Sequence, residues 1–300
     1  MMQVTCKVRG REIRLKNPLM TAPGGFGNIL EYQGYNDLEK LGALIPNSML
    51  SQDGSPNRIN KFLMLPHGYL SSFGPNNMGL KTFIQEVLPK LPTDAAPVIV
   101  DLKAKSMEEM EESVALAAET EKIWGIEINL NCPYASAEAP YYRDAKKLEK
   151  LVTGARKAAG EKLLIAKAPG GIYPMQEMAD VLEAGGMDMF VPFNCIDGCA
   201  VDIRTGKVQG GGYFGAGIKP VAMARLREAA AVFKIPVIGA GGITCAADVL
   251  EYLMLGAFAV QVGSANLTRP DFMMRLLGEL EALVRELGIE DLDKIRGSAG

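Results

Sequence analysis

Alternation between apolar and polar positions marks one stretch of the chain first. In Gly125-Ile126-Glu127-Ile128-Asn129-Leu130-Asn131-Cys132-Pro133, Ile126, Ile128 and Leu130 alternate with Glu127, Asn129 and Asn131, the period-two pattern of a strand. Pro133 removes a backbone donor and ends the ladder. Two carboxamides and a thiol are thereby left at a strand's carboxyl end, where parallel α/β proteins bind ligands.

The same reading extends in both directions. Val4-Cys6-Val8 turning at Arg9-Gly10 into Ile13-Leu15 predicts a hairpin over 3–15, and a short strand over 19–22 opens into Pro23-Gly24-Gly25-Phe26-Gly27. Helical patterns are predicted at 37–41, 82–88, 107–120, 144–159, 175–184, 221–233, 246–255 and 271–287. Strands are predicted between them at 43–45, 98–101, 163–167, 187–191, 236–238 and 259–262, with a further hairpin turning at Arg204-Thr205-Gly206-Lys207. Residues 51–79 read as a long irregular segment rich in Gly, Pro, Asn and Ser, the kind that is functional or disordered.

About eight strand–helix units with no linker-like shift in composition predict one α/β domain over 1–300. The expected fold is a single (β/α)8 TIM barrel with a short N-terminal β-hairpin and an inserted hairpin after the sixth strand. Several strands are apolar on both faces, as parallel strands covered by helices are. A doubly wound open sheet is the alternative. It calls for a dinucleotide loop after the first strand, and the glycines at 24, 25 and 27 lack that spacing.

Composition narrows the function classes. The chain is 48% hydrophobic and 22% charged, enough for a large core, and its net charge of −3 gives no footprint for nucleic acid or an anionic membrane. Residues 1–9 have no signal-like apolar run, and no stretch of about 18 apolar residues occurs, so a cytoplasmic location is expected. The 5 cysteines are scattered and His67 is the single histidine. That argues against a disulfide framework and a zinc site, and excludes a two-histidine mechanism.

A barrel gathers its strand ends on one face, which here collects Gly24 and Gly25; Asn47 and Ser48; Asn129, Asn131 and Cys132; Lys167; Asn194 and Cys195; Gly241 and Gly242; Gly263 and Ser264. The first glycine cluster reads as a turn or as backbone approaching a flat ligand. The last two glycine turns precede helices and suit a phosphate, although either could be only a tight turn. Lys167 closes an apolar strand and is expected to point across the mouth, where a cation stabilises developing negative charge. Asn77, Asn129 and Asn194 can donate and accept together, which suits a planar amide-like substrate; asparagine is also a common turn former. Cys132 is either a buried structural thiol or a proton-transfer group.

Taken in order, Lys16-Asn17-Pro18, Ala22 to Gly27, Asn129-Leu130-Asn131-Cys132-Pro133, Lys167, Asn194, Gly211 to Gly215 with Ile218-Lys219-Pro220, Ile238 to Ile243 and Val262 to Ala265 resemble the dihydroorotate dehydrogenase family. The resemblance covers nearly the whole chain and is closest to the soluble class 1B catalytic subunit. It implies an FMN-binding barrel that oxidises dihydroorotate to orotate, with Cys132 as base and hydride transfer to the flavin.

By the same resemblance, Ala22, Gly24, Ser48, Asn129, Lys167, Gly215, Gly241, Gly242, Gly263 and Ser264 would hold FMN. Asn47, Ser71, Asn77, Asn129, Asn194 and Cys195 would face the substrate. A homodimer and a separate electron-transfer subunit carrying FAD and an iron–sulfur cluster are implied partners. The chain departs from the family at Asn47, where a lysine is usual, at Ser71 and Tyr134, where asparagines are, and at Cys195, in place of serine or threonine. Two further readings therefore stand: a paralogue acting on another C=C bond, such as that of a neutral dihydropyrimidine, and a non-catalytic flavin-binding subunit.

Overall fold

The computed structural model describes residues 2–52, 62–71, 78–133 and 138–299. In chain order the strands are β1 (Val4–Val8), β2 (Arg11–Leu15), β3 (Leu19–Thr21), β4 (Phe62–Leu65), β5 (Gly68–Ser71), β6 (Val98–Leu102), β7 (Ile123–Asn129), β8 (Leu163–Lys167), β9 (Met189–Val191), β10 (Ile196–Val201), β11 (Val208–Phe214), β12 (Val237–Ala240) and β13 (Ala257–Val262). A seven-stranded parallel sheet runs in the order β3-β13-β12-β9-β8-β7-β6. Its two edges are joined by residues 43–49, through the parallel bridges Met20↔Ala43, Leu44↔Val98 and Met49↔Leu102. The curled sheet with its surrounding helices is a (β/α)8 barrel.

The second barrel strand, expected over 43–45, forms these bridges rather than a continuous ladder. Pro46, which has no N–H, follows at once. The backbone bonds on either side are still made: Leu44 N–H donates to Pro97 O at 2.8 Å and Ile99 N–H to Leu44 O at 2.9 Å.

The helices follow from their caps and apolar stripes. Ser106 accepts from the Glu109 N–H at the start of α2 (Met107–Glu119), whose acidic first turn suits the helix dipole. Asp144 accepts from the Lys146 and Lys147 N–H groups at the start of α3 (Ala145–Ala159), which buries Leu148, Leu151, Val152, Ala155 and Ala159 against the sheet. The segment expected as a helix over 37–41 is a single 3₁₀ turn, Leu38–Lys40. The helix expected over 82–88 starts earlier and tightens at its end, running from α1 (Gly79–Thr82) through a wide turn at Phe83–Val87 to a 3₁₀ turn at Leu88–Lys90.

Two features lie outside the barrel ladder. The β1–β2 hairpin places Arg9 at its turn, where Arg9 Nε donates to Asp188 Oδ1 at 2.6 Å, just before β9 begins. The hairpin therefore packs on the amino ends of the strands. Beyond the carboxyl end of β9, a four-stranded antiparallel sheet forms in the order β10-β11-β5-β4. Part of the stretch read as irregular over 51–79 is thus a hairpin, β4–β5, held to the inserted hairpin by the pairing Gly212↔Ser71. Gly215 makes the tight junction, since a Cβ there would lie 2.6 Å from the Gly68 Cα.

Candidate active site

Inside the barrel, near the carboxyl ends of its strands, four polar side chains meet that the surrounding pattern would not admit singly. Asp101 (β6) and Glu127 (β7) are paired in register, and both are fully buried. Lys167 closes β8 and is also buried; its Nζ donates to Glu127 Oε1 at 3.2 Å and to Gln261 Oε1 on β13 at 2.6 Å. Gln261 Nε2 in turn donates to Glu127 Oε2. The lysine, expected from the sequence to point across the open mouth, instead lies within the barrel. Its carboxylate partner is what makes the burial tolerable.

Two carboxylates beside one ammonium would leave this buried layer with a net negative charge. Burial, and then the charge of Glu127, push the Asp101 carboxyl up to about 8, against the opposing pull of Lys167. Asp101 is therefore protonated at neutral pH and can donate to Glu127, so that Glu127 and Lys167 form a neutral pair. Ser48, at the end of the second strand, also lies against Asp101.

Above this layer the backbone takes over. A Cβ on Gly25 would lie 2.3 Å from the Gly263 carbonyl oxygen, so the loop after β3 is sealed against the end of β13. Gly24, at φ +85°, has open space where a Cβ would stand, and Ala22 packs beside Gly263. Asn47 ties this loop down: its Oδ1 accepts from the Gly24 N–H at 2.9 Å, and its own N–H donates to Gly27 O at 2.8 Å. Gly241 and Gly242, at φ +110° and +70°, follow β12, which pairs with β13. They lie beside the Gly263–Ser264 turn that opens the 3₁₀ turn Ser264–Leu267. Backbone without side chains on one side and a buried lysine network beneath make a cradle that fits a flat, phosphate-bearing group.

On the other side of the mouth, Asn129 is buried at the end of β7, its Oδ1 accepting from the Asn131 N–H at 3.2 Å. Cys132 is buried too, with Sγ donating to Asn129 O at 2.9 Å, and the peptide bond to Pro133 is cis. Burial pushes this thiol up to about 12, although the Ala104 backbone and the charge of Lys103 act the other way. Asn194 and Cys195 follow β9 and are half-buried. The Cys195 sulfur packs where a Cβ on Gly212 would stand, and Gly212 is paired with Ser71, so the antiparallel sheet brings Ser71 to this side of the site. Gly215 stands at the base of the same sheet. Asn77 and Tyr134 lie outside the described residues.

A cavity of ≈ 450 Å³ opens between the loops after β7, β8 and β9, lined by Asn131, Arg143, Tyr173, Asn194 and Cys195 among others. Of the residues predicted from sequence to hold cofactor or substrate it touches Asn194 and Cys195; it flanks the mouth and does not lie over Lys167 or the glycine turns. Sequence reasoning passed over Asp101, Gln261 and Lys103 and used Glu127 only for its strand period. The available signal was a charged or amide side chain inside a strand otherwise apolar on both faces, as in Val98-Ile99-Val100-Asp101-Leu102.

Residues 4–284 match the family model for dihydroorotate dehydrogenase. The catalytic subunit of dihydroorotate dehydrogenase B (NAD(+)) from Solidesulfovibrio magneticus is 35% identical over 302 residues, covering 99% of this chain and 99% of that one. The proteins of the same description from Maridesulfovibrio salexigens and Enterococcus faecalis are 36% and 33% identical, the first covering 95% of both chains and the second covering 94% of this chain and 92% of its own. The chain belongs to the dihydroorotate dehydrogenase family, whose members are oxidoreductases acting on a CH–CH bond and generally bind FMN. Among the described residues, no helix is long and apolar enough to cross a membrane.

Proposed function

We propose that this protein is an FMN-dependent dehydrogenase that oxidises dihydroorotate to orotate. The observation that carries the reading is the meeting, on one face of the barrel, of a glycine cradle, a buried lysine and a buried thiol. FMN would lie against Ala22 and Gly24, with its phosphate at Gly241, Gly242, Gly263 and Ser264, and with Ser48, Asn129 and Gly215 nearby. Bound there, it supplies the two-electron acceptor for the hydride that leaves one ring carbon of the substrate.

The chain's own residues do the rest. Lys167 has three N–H donors and gives two to Glu127 and Gln261, which leaves one for a ligand above. Glu127 and Gln261 hold that ammonium in place, so its charge is pre-organised. Asn129 and Asn194, with Asn77, would align the pyrimidine edge through paired donors and acceptors, flanked by Asn47, Ser71 and Cys195. Cys132 would take the proton from the carbon next to the one that loses hydride.

A thiol held near 12 is a weak source of thiolate at neutral pH, so the rate should depend steeply on pH. Anaerobic mixing of the FMN-loaded protein with dihydroorotate should bleach the oxidised-flavin absorbance. The bleaching rate should rise about tenfold per pH unit between pH 6 and 9, as expected for a base titrating above that range. Cys132→Ala should abolish the pH-dependent component while retaining bound flavin. A flavin that is tightly bound and reduced by dithionite, but left oxidised by dihydroorotate, would defeat this reading.

One observation favours a second substrate. Asn47 is neutral and commits its oxygen to Gly24, so the second strand's end offers no cation to a carboxylate. A neutral dihydropyrimidine such as dihydrouracil would need none, and bleaching by dihydrouracil but not by dihydroorotate would decide for it. The relatives are catalytic subunits by description, and a partner subunit carrying FAD and an iron–sulfur cluster is the proposed route for electrons to NAD. Co-purification of a second flavoprotein supports that route; full turnover with fumarate by the isolated chain opposes it.

A further inference from the structure

Dihydroorotate carries a carboxylate, and a buried or half-buried carboxylate needs a cation or several donors. Asn47 is neutral, and Lys167 lies in the layer below, shared between Glu127 and Gln261. We propose that Lys103 is the specificity-determining residue that receives the anionic substituent of the substrate ring, an inference that rests on the substrate reading above.

Its backbone fixes its place. Lys103 directly follows β6, and its N–H donates to Met49 O at 2.8 Å, which holds it against the end of the second barrel strand. The pleat of β6 sets its direction. Asp101 turns into the barrel against Glu127, so Lys103, two positions on, leaves the backbone on the same side and one layer nearer the mouth.

Its neighbours place it at the substrate side. Burial raises the thiols of Cys132 and Cys195, and in both cases the positive charge of Lys103 acts against that rise. Those cysteines follow β7 and β9, beside Asn129 and Asn194, so the charge of Lys103 reaches both of the strand ends assigned to the pyrimidine. Lysine is a compact charge on a flexible four-carbon stem, able to follow a carboxylate as the ring seats. The other cation close by, Arg143, lies with its guanidinium 5.6 Å from the Tyr142 ring centre and lines the flanking cavity, not the barrel mouth.

The test compares two ligands that differ in the carboxylate alone. FMN-loaded wild-type protein, Lys103→Met, Lys103→Arg and Arg143→Met are titrated by calorimetry with orotate and with uracil, and bound FMN per chain reports the integrity of the fold. Wild type should prefer orotate. Lys103→Met should weaken orotate by roughly ten- to a hundredfold, the worth of a charge-assisted hydrogen bond, and leave uracil unchanged. Lys103→Arg should restore most of the preference, and Arg143→Met should change neither ligand.

If Lys103→Met keeps the wild-type preference, or loses both ligands equally, the assignment of Lys103 is overturned while the substrate reading stands. If wild type binds uracil at least as tightly as orotate, the substrate reading falls and takes this inference with it.

Discussion

At the amino ends of the barrel strands, Asp188 accepts from Arg9 Nε at 2.6 Å, Arg156 Nη1 at 2.9 Å and the Leu164 N–H at 2.8 Å. Near the carboxyl ends, Asp101 and Glu127 lie against one another, and Lys167 Nζ donates to Glu127 at 3.2 Å while its charge reaches Asp101. Both regions bury carboxylates completely. The first surrounds one acid with two cations and a backbone donor, which compensates its desolvation. The second crowds two acids so that one must hold a proton, which is an unfavourable arrangement for stability. The difference separates an end whose acid is fully compensated from an end whose two acids share one cation, and the proposed function puts the ligand at the second.

The largest effect is expected at Asp188. Asp188→Asn leaves Arg9 and Arg156 facing a neutral amide, and should cost about 3 kcal/mol in urea unfolding, lowering the melting temperature by roughly 5–10 °C. A loss under about 1 kcal/mol would mean that the amino-end cluster is not what fastens the hairpin to the barrel.

The carboxyl-end cluster should respond in the opposite sense, and through pH. Asp101 titrates at about 8 in the folded protein and near 3.9 when unfolded. Between those values the native chain holds a proton that the unfolded chain has lost, so raising pH through this window favours unfolding. Wild-type stability should therefore fall from pH 5.5 to pH 8. Asp101→Asn, which imitates the protonated acid, should flatten that slope and gain on the order of 2 kcal/mol at pH 8. Urea midpoints at the two pH values measure both; an equal slope in the two proteins would contradict the shared proton.

A smaller effect sharpens the point. Glu127→Gln removes the like charge that, after burial itself, raises Asp101, and leaves Asp101 as the remaining acid beside Lys167. The loss of stability should stay under about 1 kcal/mol, well below that of Asp188→Asn, because the surviving acid compensates. A loss equal to that at Asp188 would show that Asp101 does not take over.

Much of this architecture was legible in the sequence where the signal was local. The hairpin turn at Arg9-Gly10 and the helix α4 (Met175–Ala184) are set by residues next to one another, and they lie where the pattern put them. The β4–β5 hairpin was hidden because its stabilising partner, β11, is distant in sequence and its own segment is rich in turn formers. The candidate site divides in the same way. Strand-end residues such as Gly24, Cys132 and Lys167 could be placed on one face by counting units. Their partners could not: Gln261, which holds Lys167, lies 94 positions further along the chain and on a strand across the barrel. Asp101 was passed over although a carboxylate inside an apolar run is itself a signal. Lys103 is visible as a candidate only once Met49 and Cys132 are seen beside it.

On this reading the carboxyl-end network serves the chemistry and the amino-end network serves the fold. The direct test is the rate of anaerobic flavin bleaching by dihydroorotate, per bound FMN, in wild type, Glu127→Gln and Asp188→Asn, at a temperature where all three remain folded. Asp188→Asn should bleach at the wild-type rate, while Glu127→Gln, in which the surviving acid, Asp101, compensates the charge of Lys167 but from a different position, should slow at least about tenfold, the scale of one misplaced electrostatic group. Equal rates in wild type and Glu127→Gln, or a matching loss in Asp188→Asn, would contradict the division between the two ends.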